Sequence, residues 1–369
     1  MLDLDYTVEE INRNLPIWMT YEPGSTFKII TLAASLEEKI VDLENDNFFD
    51  GGAVTVGGAT LHCWKHGGHG AQTYLQVVEN SCNPGFVNLG LKLGKETLFN
   101  YIDLFGFGEK TGVDLNGESN GILFNIDKIG DLELATTAFG QGVSVTPIQQ
   151  ITAVSAAING GILYKPYIVK SLNEPETNSV ILENNPMVVR KVISEDTSSK
   201  VRYALESVVA RGTGHNAYIG GYRVGGKTGT AQKVKDGIYM SGNYITSFIG
   251  FLPADDPQII VYIAVDNAKG ITQYGGTVAA PIAKNFLLSA IDILDIEERT
   301  DEIEREYLYT DKQYAKVPNV VGMNVKDAVK QLKKFKVEYS GTGEIVTYQS
   351  PSSGESIYEG ETIRLLLSE

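Results

Sequence analysis

The sequence predicts a mixed α/β (α+β) fold whose larger part contains an antiparallel sheet. The chain has 369 residues, 43% of them hydrophobic, so it can bury a sizeable core and divide into more than one domain. Helical and strand-like segments alternate along it, which excludes fibrous and disordered classes. The segments 222–230, 245–252 and 259–266 are rich in aromatic and β-branched residues, and the short connection between the last two favours antiparallel pairing.

The net charge argues against nucleic-acid binding, and the hydropathy argues against a membrane-spanning helix. The formal net charge is −15 and there is no stripe of lysines and arginines, so nucleic acid is not an expected partner. The longest dense apolar run, 259–265, has the length of a strand, and the N-terminus lacks the basic start and apolar core of a signal peptide. We therefore expect no membrane-spanning helix within this sequence.

The composition divides the chain into three regions. We predict one globular domain over residues 1–291, an acidic linker over 292–314 and a small domain over 315–369. In the linker, acidic residues far outnumber the basic Arg299 and Arg305, which is typical of a solvated boundary segment.

The first chemical motif is Ser25-Thr26-Phe27-Lys28, at the start of an apolar segment that predicts a core helix over residues 25–38. On a helix this spacing places Lys28 one turn from Ser25 on the same face. A desolvated lysine can take the proton of a serine hydroxyl, and a free N–H at the helix N-terminus can bind an oxyanion. In isolation, S-x-x-K is more often a capping serine with an exposed lysine.

The second motif is Ser81-Cys82-Asn83, which follows a helix-like segment at 75–80. Its serine can relay a proton between lysines, and its asparagine amide can hold a substrate carbonyl. In isolation, such a triplet is common in turns.

The third motif is Lys227-Thr228-Gly229-Thr230, on a predicted strand. A strand can pair with an extended peptide substrate, and Gly229 lets the ligand approach the backbone. Lys227 and Thr228 offer a cation and a hydroxyl to a substrate carboxylate, while the N–H of Thr230 can complete an oxyanion hole. A turn or a strand end is the ordinary interpretation of an isolated K-T-G.

In this order, the three motifs resemble the set found in penicillin-binding proteins and serine β-lactamases. Over about residues 8–291 the sequence is similar to class B penicillin-binding proteins, through Tyr21-Glu22-Pro23-Gly24-Ser25-Thr26-Phe27-Lys28, Phe139-Gly140-Gln141-Gly142, Thr146-Pro147 and Gly225-Gly226-Lys227-Thr228-Gly229-Thr230-Ala231-Gln232. It most resembles the sporulation-type members, which build spore cortex, through Cys63-Trp64, Gly68-His69-Gly70 and Ser81-Cys82-Asn83-Pro84-Gly85-Phe86.

The resemblance implies a transpeptidase domain with a central antiparallel sheet flanked by helices. It implies that Lys28 activates Ser25, which attacks a D-Ala-D-Ala stem peptide and passes the acyl group to an amine of a neighbouring stem. Ser81, Asn83 and Lys227 would assist, the segment 228–230 would bind substrate, and β-lactams would acylate the serine. A D,D-carboxypeptidase, a β-lactamase, or an idle penicillin-binding sensor or scaffold remain alternatives.

The family carries a membrane anchor and a non-catalytic domain ahead of the transpeptidase domain, whereas this sequence begins shortly before Ser25. We therefore interpret it as a fragment or a fusion. The natural protein is expected on the outer face of the cytoplasmic membrane, with a forespore-associated membrane as a further expectation. Expected partners are peptidoglycan stem peptides, β-lactam antibiotics and a wall-synthesis glycosyltransferase.

The C-terminal region, from Val317 to Ile363, resembles a single PASTA module. We expect a helix at 324–335 and strands at 336–340, 344–349 and 362–367. The resemblance implies binding to cell wall or β-lactams, and a spacer or stabilising role is an equal alternative.

Histidine and cysteine are concentrated in one window. The chain has four His and two Cys, and both cysteines lie within residues 62–82 together with three of the histidines. Cys63, His69 and Cys82 predict a structural zinc site, with Asp50, suggested by the resemblance, or His66 as the fourth ligand. Such a metal would pin the S-x-N motif beside the catalytic serine. A disulfide between the cysteines, or two unrelated core thiols, are the alternatives.

Overall fold

The computed structural model describes residues 13–235, 237–305 and 314–368. The chain divides into two compact units, Met1–Arg305 and Glu306–Glu369. Each unit contains helices, strands and a hydrophobic core of its own, which confirms the mixed α+β fold class.

Most helices of the first unit line one of its two hydrophobic cores. The helices are α1 (Leu15–Trp18), α2 (Lys28–Glu37), α3 (Tyr74–Glu79), α4 (Asn83–Leu93), α5 (Lys95–Leu104), α6 (Asp131–Thr137), α7 (Pro147–Ile158), α8 (Glu195–Ala210) and α9 (Gly275–Leu294). Helix α2 is buried from Lys28 to Leu36, which confirms the prediction of a core helix. Its start differs from the prediction, because Gly24–Thr26 form a separate 3-10 turn before it.

The first unit also contains four short antiparallel strand pairs among its described residues. The strands are β1 (Asn47–Asp50), β2 (Ala53–Val56), β3 (Ala59–His62), β4 (Gly70–Thr73), β5 (Ile162–Lys165), β6 (Ser171–Asn173), β7 (Val180–Glu183) and β8 (Met187–Lys191). β1 pairs with β4, β2 with β3, β5 with β8 and β6 with β7.

The main sheet consists of β9 (Gly225–Lys235), β10 (Ile238–Leu252) and β11 (Ile259–Asp266), in the order β11-β10-β9. Both neighbours of β10 run antiparallel to it, so the predicted pairing of the last two strands is confirmed. The first strand begins later than predicted, because Tyr222 forms an isolated bridge with Ile219 in a turn before β9.

Helix α9 packs against the main sheet, with Ala279, Ala283 and Leu287 completely buried. By length and composition alone, this helix is apolar enough to cross a membrane. An apolar helix of this length was not expected from the sequence. Pro281 and Lys284 interrupt the apolar run in the sequence. The buried face of α9 is that of a core helix on a sheet.

Part of the predicted acidic linker belongs to the larger unit. Arg299 pairs with Asp255 at 2.9 Å, and Glu302 accepts a hydrogen bond from the Tyr218 hydroxyl at 2.8 Å. These contacts attach the segment after α9 to the domain, so the larger unit continues to Arg305 and not to the predicted boundary at 291.

The smaller unit contains β12 (Tyr314–Lys316), α10 (Val325–Gln331), β13 (Lys336–Gly341), β14 (Ile345–Ser350), β15 (Ser356–Tyr358) and β16 (Thr362–Ser368). β13 runs parallel to β16 and β14 antiparallel to it, close to the predicted strand positions. The helix is shorter than predicted, because a turn after Gln331 leads into β13, and the pairing of β12 with β15 was not predicted. Residues 306–313 of the predicted linker lie outside the described residues.

Candidate active site

Ser25 lies in the 3-10 turn that precedes α2. Gly24 has φ +54°, in the left-handed region that favours glycine, and its N–H donates to the carbonyl of Gly140 at 3.0 Å. A Cβ on Gly24 would lie 3.2 Å from the Cβ of Ala231 on β9. Glycine thus lets the turn pack closely on β9, which holds the half-buried Ser25 between α2 and the main sheet.

Lys28 is completely buried, and its Nζ is surrounded by polar groups of the S-x-N motif. It donates to the carbonyl of Ser81 at 2.8 Å, to the Ser81 hydroxyl at 3.2 Å and to Oδ1 of Asn83 at 2.7 Å. Burial lowers the pKa of Lys28 from 10.5 to about 7, and ionisation of the nearby Cys82 or Cys63 thiol would act in the opposite direction. Burial is the larger effect, so Lys28 can exchange a proton near neutral pH.

The S-x-N motif forms the turn between α3 and α4. Ser81 has φ +51°, which is unfavourable for a residue with a side chain. Asn83 begins α4, and its Nδ2 donates to the carbonyl of His62 at 3.1 Å while its Oδ1 faces Lys28. The structure thus brings the first two predicted motifs into direct contact.

The K-T-G motif lies near the start of β9. Lys227 is completely buried, its Nζ donates to the carbonyl of Thr228 at 3.1 Å, and burial together with the charge of Lys28 holds its pKa well below the usual range. A Cβ on Gly229 would collide with the hydroxyl of Ser247, so a larger residue fits there only if that side chain moves. Thr230 accepts a hydrogen bond from the N–H of Gly275, at the first residue of α9.

Two neighbours of these motifs were not predicted as site residues. Thr213 accepts a hydrogen bond from the Thr228 hydroxyl at 2.9 Å, and the only signal for it in the sequence is its place between two glycines. Trp64 donates from Nε1 to the carbonyl of Asn80 at 2.8 Å, next to the S-x-N motif. In the sequence, Trp64 was marked by its position directly after Cys63.

The four predicted metal ligands converge on one point. One potential ligand atom from each of Asp50, Cys63, His69 and Cys82 lies within 4.8 Å of the other three. Oδ2 of Asp50 is 2.8 Å from Nδ1 of His69 and 3.3 Å from Sγ of Cys82, and Sγ of Cys63 is 3.4 Å from the same histidine nitrogen. Among the described residues, no other group of this kind with at least three members converges so closely.

The surroundings of this cluster suit a cation. Hydrogen bonds from Cys63, His69 and the backbone of Gly52 outweigh burial and hold the pKa of Asp50 below its usual range. The hydrogen bond with Cys82 lowers the pKa of Cys63 to about 6, and the same contact raises that of Cys82. Both cysteines are free thiols in the structure. His66, the alternative ligand, is exposed and lies outside the cluster.

The site combines a serine on a turn, a buried lysine, an S-x-N turn and a K-T-G strand. On this sheet and these helices, that combination defines the class of serine–lysine acyltransferase domains. A model of the penicillin binding protein transpeptidase domain matches residues 5–288, and a PASTA domain model matches residues 315–369. The chain therefore belongs to the family of penicillin-binding protein transpeptidase domains, with a PASTA domain at its C-terminus, as the motifs predicted.

Individual relatives agree with this assignment. Stage V sporulation protein D of Bacillus subtilis is 60% identical over 97% of this chain and 55% of that protein. A peptidoglycan D,D-transpeptidase FtsI homolog of Mesostigma viride is 30% identical over 82% of this chain and 54% of that protein. The crystal structure of penicillin binding protein 3 from Mycobacterium tuberculosis, complexed with aztreonam, is 30% identical, with a TM-score of 0.73 over 81% of this chain and 68% of that one. The chain spans about half the length of the curated relatives it matches.

Proposed function

We propose that the chain contains the catalytic domain of a peptidoglycan D,D-transpeptidase, with Ser25 as the nucleophile. The observation that carries this proposal is the position of Lys28, whose buried Nζ contacts both Ser81 and Asn83. With a pKa of about 7, a large fraction of Lys28 is neutral at neutral pH and can serve as a base. The ordinary interpretation of S-x-x-K, a capping serine with an exposed lysine, does not fit a completely buried lysine.

The reaction proceeds in two half-reactions. Lys28 takes the hydroxyl proton of Ser25, whose Oγ bonds to the carbonyl carbon of the penultimate D-Ala. The amide C–N bond breaks, the leaving amine of the terminal D-Ala receives the proton through Ser81, and an acyl ester remains on the serine. The amine of a neighbouring stem then attacks the ester and gives up a proton to Lys28, which returns it to the departing Oγ of Ser25. One peptide bond replaces another, so no co-reactant is consumed.

The K-T-G strand binds the donor peptide. Lys227 and the Thr228 hydroxyl hold the terminal carboxylate, since an approaching anion favours the charged form of a buried lysine. The absence of a side chain at Gly229 lets the peptide lie along β9, and the N–H groups of Ser25 and Thr230 bind the oxyanion. A penicillin would occupy the same place as the donor and leave the serine acylated.

Labelling with a fluorescent penicillin, followed by intact-protein mass spectrometry, tests the nucleophile. We expect one adduct per chain that persists for hours and is lost in Ser25→Ala. Ser289→Ala, which removes an exposed hydroxyl on α9, is the matched control and should label fully. Absence of an adduct on the folded wild-type chain would contradict the proposal, and rapid turnover of the drug would favour a β-lactamase.

Turnover of a stem-peptide thioester in the presence of an amine acceptor separates the remaining alternatives. A transpeptidase forms the amide product continuously. Hydrolysis without amide formation indicates a D,D-carboxypeptidase, and a single burst that then stops indicates a sensor.

We further propose that the natural protein acts in spore cortex synthesis, on the outer face of the cytoplasmic membrane or of a forespore-associated membrane, together with a wall-synthesis glycosyltransferase. The 60% identity to a protein named for stage V of sporulation supports this role. Replacing the chromosomal gene with a Ser25→Ala allele should leave vegetative growth unchanged and yield spores with little cortex. Normal cortex in that strain would contradict the proposal.

We propose that Asp50, Cys63, His69 and Cys82 hold a structural zinc ion. Two thiols, an imidazole and a carboxylate form a tetrahedral donor set that zinc prefers, and four protein ligands leave no open position for water. Bound zinc would supply a fixed position for the S-x-N turn and no chemistry of its own, because Cys82 lies between Ser81 and Asn83.

Metal analysis tests this site directly. We expect about one zinc per chain in the wild type and in His66→Ala, and none in Cys82→Ser. Removal of zinc should lower the melting temperature, because burying the converging polar groups without a cation leaves them poorly compensated. Folded protein without zinc whose two cysteines resist alkylation until reduced would favour the disulfide instead.

A further inference from the structure

Trp64 is a large aromatic residue that the fold leaves 54% exposed. Its indole is nevertheless fixed: Nε1 donates to the carbonyl of Asn80 at 2.8 Å, and the ring meets that of His69 edge-on at a centroid distance of 5.4 Å. Asn80 directly precedes Ser81. A surface tryptophan is thus bonded to the backbone at the entrance of the S-x-N turn.

The same loop holds the other end of that turn. The carbonyl of His62, two residues before Trp64, accepts from Nδ2 of Asn83 at 3.1 Å. The two contacts therefore flank the three groups that bind Nζ of Lys28, namely the carbonyl and hydroxyl of Ser81 and Oδ1 of Asn83.

The turn needs such support, because Ser81 has a left-handed backbone with φ +51°. A residue with a side chain adopts this conformation only when its surroundings enforce it. The bond from Trp64 fixes the peptide group immediately before Ser81. The N–H of the same peptide group donates to the carbonyl of Val78 at 3.1 Å, so the bond from Trp64 is a second restraint on it. Without that bond the peptide group can tilt, and the Ser81 carbonyl and hydroxyl then shift relative to the Nζ of Lys28.

We propose that Trp64 is a positioning residue for the acylation step, acting through the S-x-N turn. The inference rests on the proposed acyl transfer by Ser25 and adds a residue that contacts neither the serine nor Lys28. The hydrogen bond of Trp64 ends on Asn80 and not on any of the four predicted ligands, but its ring contacts His69, so the zinc content of each variant is measured together with its rate.

The first test is the kinetics of penicillin acylation in Trp64→Phe, which keeps an aromatic ring against His69 and removes the donor. We expect the limiting acylation rate constant at saturating penicillin to fall about tenfold, the typical effect of one lost hydrogen bond, while the apparent dissociation constant of penicillin stays unchanged. Tyr203→Phe is the matched control, since it removes another half-exposed aromatic donor, which bonds to Glu44 at 2.6 Å, and it should acylate at the wild-type rate.

A second variant preserves the shape of the side chain. The chain has two tryptophans, so in a Trp18→Phe background biosynthetic replacement with a benzothiophene analogue substitutes Trp64 alone. The analogue fills the same volume without an N–H. We expect the same loss of rate as in Trp64→Phe, with the melting temperature and zinc content of the parent.

The outcomes separate this inference from the function on which it rests. Acylation of both Trp64 variants at the wild-type rate overturns the inference and leaves the proposed function intact. A slower rate that appears only together with loss of zinc or of thermal stability also overturns it, because the effect would then be structural. Absence of a penicillin adduct on the folded wild-type chain overturns both.

Discussion

Lys28 shows how one residue can be adjusted for proton transfer by opposing effects. Its side chain is completely buried, with Nζ 5.2 Å from the centre of the Phe86 ring on one side and the polar groups of the S-x-N turn on the other. Burial favours the neutral amine, and ionisation of the nearby Cys82 or Cys63 thiol would favour the charged one. The resulting pKa of about 7 suits the proposed role of Lys28 as a base that takes and returns a proton.

This pKa predicts the pH dependence of acylation. Only neutral Lys28 can accept the proton of Ser25, and its pKa lies at about 7, down from 10.5. The rate constant for penicillin acylation should therefore rise about tenfold per pH unit below pH 7 and level off above it. Stopped-flow measurement between about pH 5 and pH 9 checks this.

A substitution that adds a charge at Asn83, which contacts Lys28, provides the control for this pH profile. Asn83→Asp places a carboxylate where Oδ1 now accepts from Nζ at 2.7 Å, and an opposite charge favours the protonated amine. The midpoint of the profile should move upward by about one pH unit. A midpoint that moves downward, or a flat wild-type profile, would contradict Lys28 as the base.

At the scale of elements, the sequence was most informative where a motif carries its own local structure. The strand at 259–266 was predicted with its observed bounds, because aromatic and β-branched residues end at clear Pro, Asp and Asn breaks. The buried helix behind Lys28 was evident from apolar residues on all sides. The order of the S-x-x-K, S-x-N and K-T-G motifs predicted three segments that the fold brings together, but not their neighbour Thr213.

Elements that depend on tertiary contacts were not predictable. The 3-10 turn before α2 arises because Gly24 approaches Ala231 from a distant strand. The extension of β10 back to Ile238 follows from its pairing with β9, which continues past a bulge. Trp64 belongs to no periodic pattern in the sequence. Its contact with Asn80 was not predictable, because Asn80 lies in another element.

The contact between α9 and the main sheet yields a prediction at this scale. A Cβ on Gly275 would collide with the carbonyl oxygens of Gly229 and Ser247, so the start of α9 touches the substrate strand through bare backbone. Glycine to alanine normally stabilises a helix. Here we expect Gly275→Ala to destabilise the fold by about 2 kcal/mol through overpacking, and to slow penicillin acylation by displacing β9.

Gly220→Ala is the matched control for this substitution. A Cβ there would lie 3.9 Å from the nearest side-chain atom, a ring carbon of Tyr218, which is an ordinary contact. Thermal unfolding and acylation kinetics of both variants provide the measurement. Equal melting temperatures for the two would show that α9 and β9 can separate without cost, contrary to the packing described.

At the scale of the whole molecule, each unit is stabilised by its own core. In the smaller unit, Val320, Ala328 and Leu332 are completely buried against strand residues such as Val346 and Ile363. The side chains proposed for catalysis and for metal binding all come from the larger unit. We therefore expect a chain that ends after Arg305 to keep the wild-type rate of penicillin acylation and the melting temperature of the larger unit.

A chain that ends at residue 291, the boundary the sequence suggested, should behave differently. It lacks Asp301 and Arg299, which join Arg223 and Asp255 in one network of ion pairs, and it lacks Ile296, which packs on the smaller of the two cores in this unit. Exposed ion pairs each contribute little, so most of the loss comes from the apolar contact and the hydrogen bonds of the segment. We expect the free energy of unfolding to fall by about 2 kcal/mol relative to the chain ending at 305, as measured by urea denaturation. Equal stability of the two truncated chains would mean that the acidic segment is a linker throughout, as its composition alone indicated.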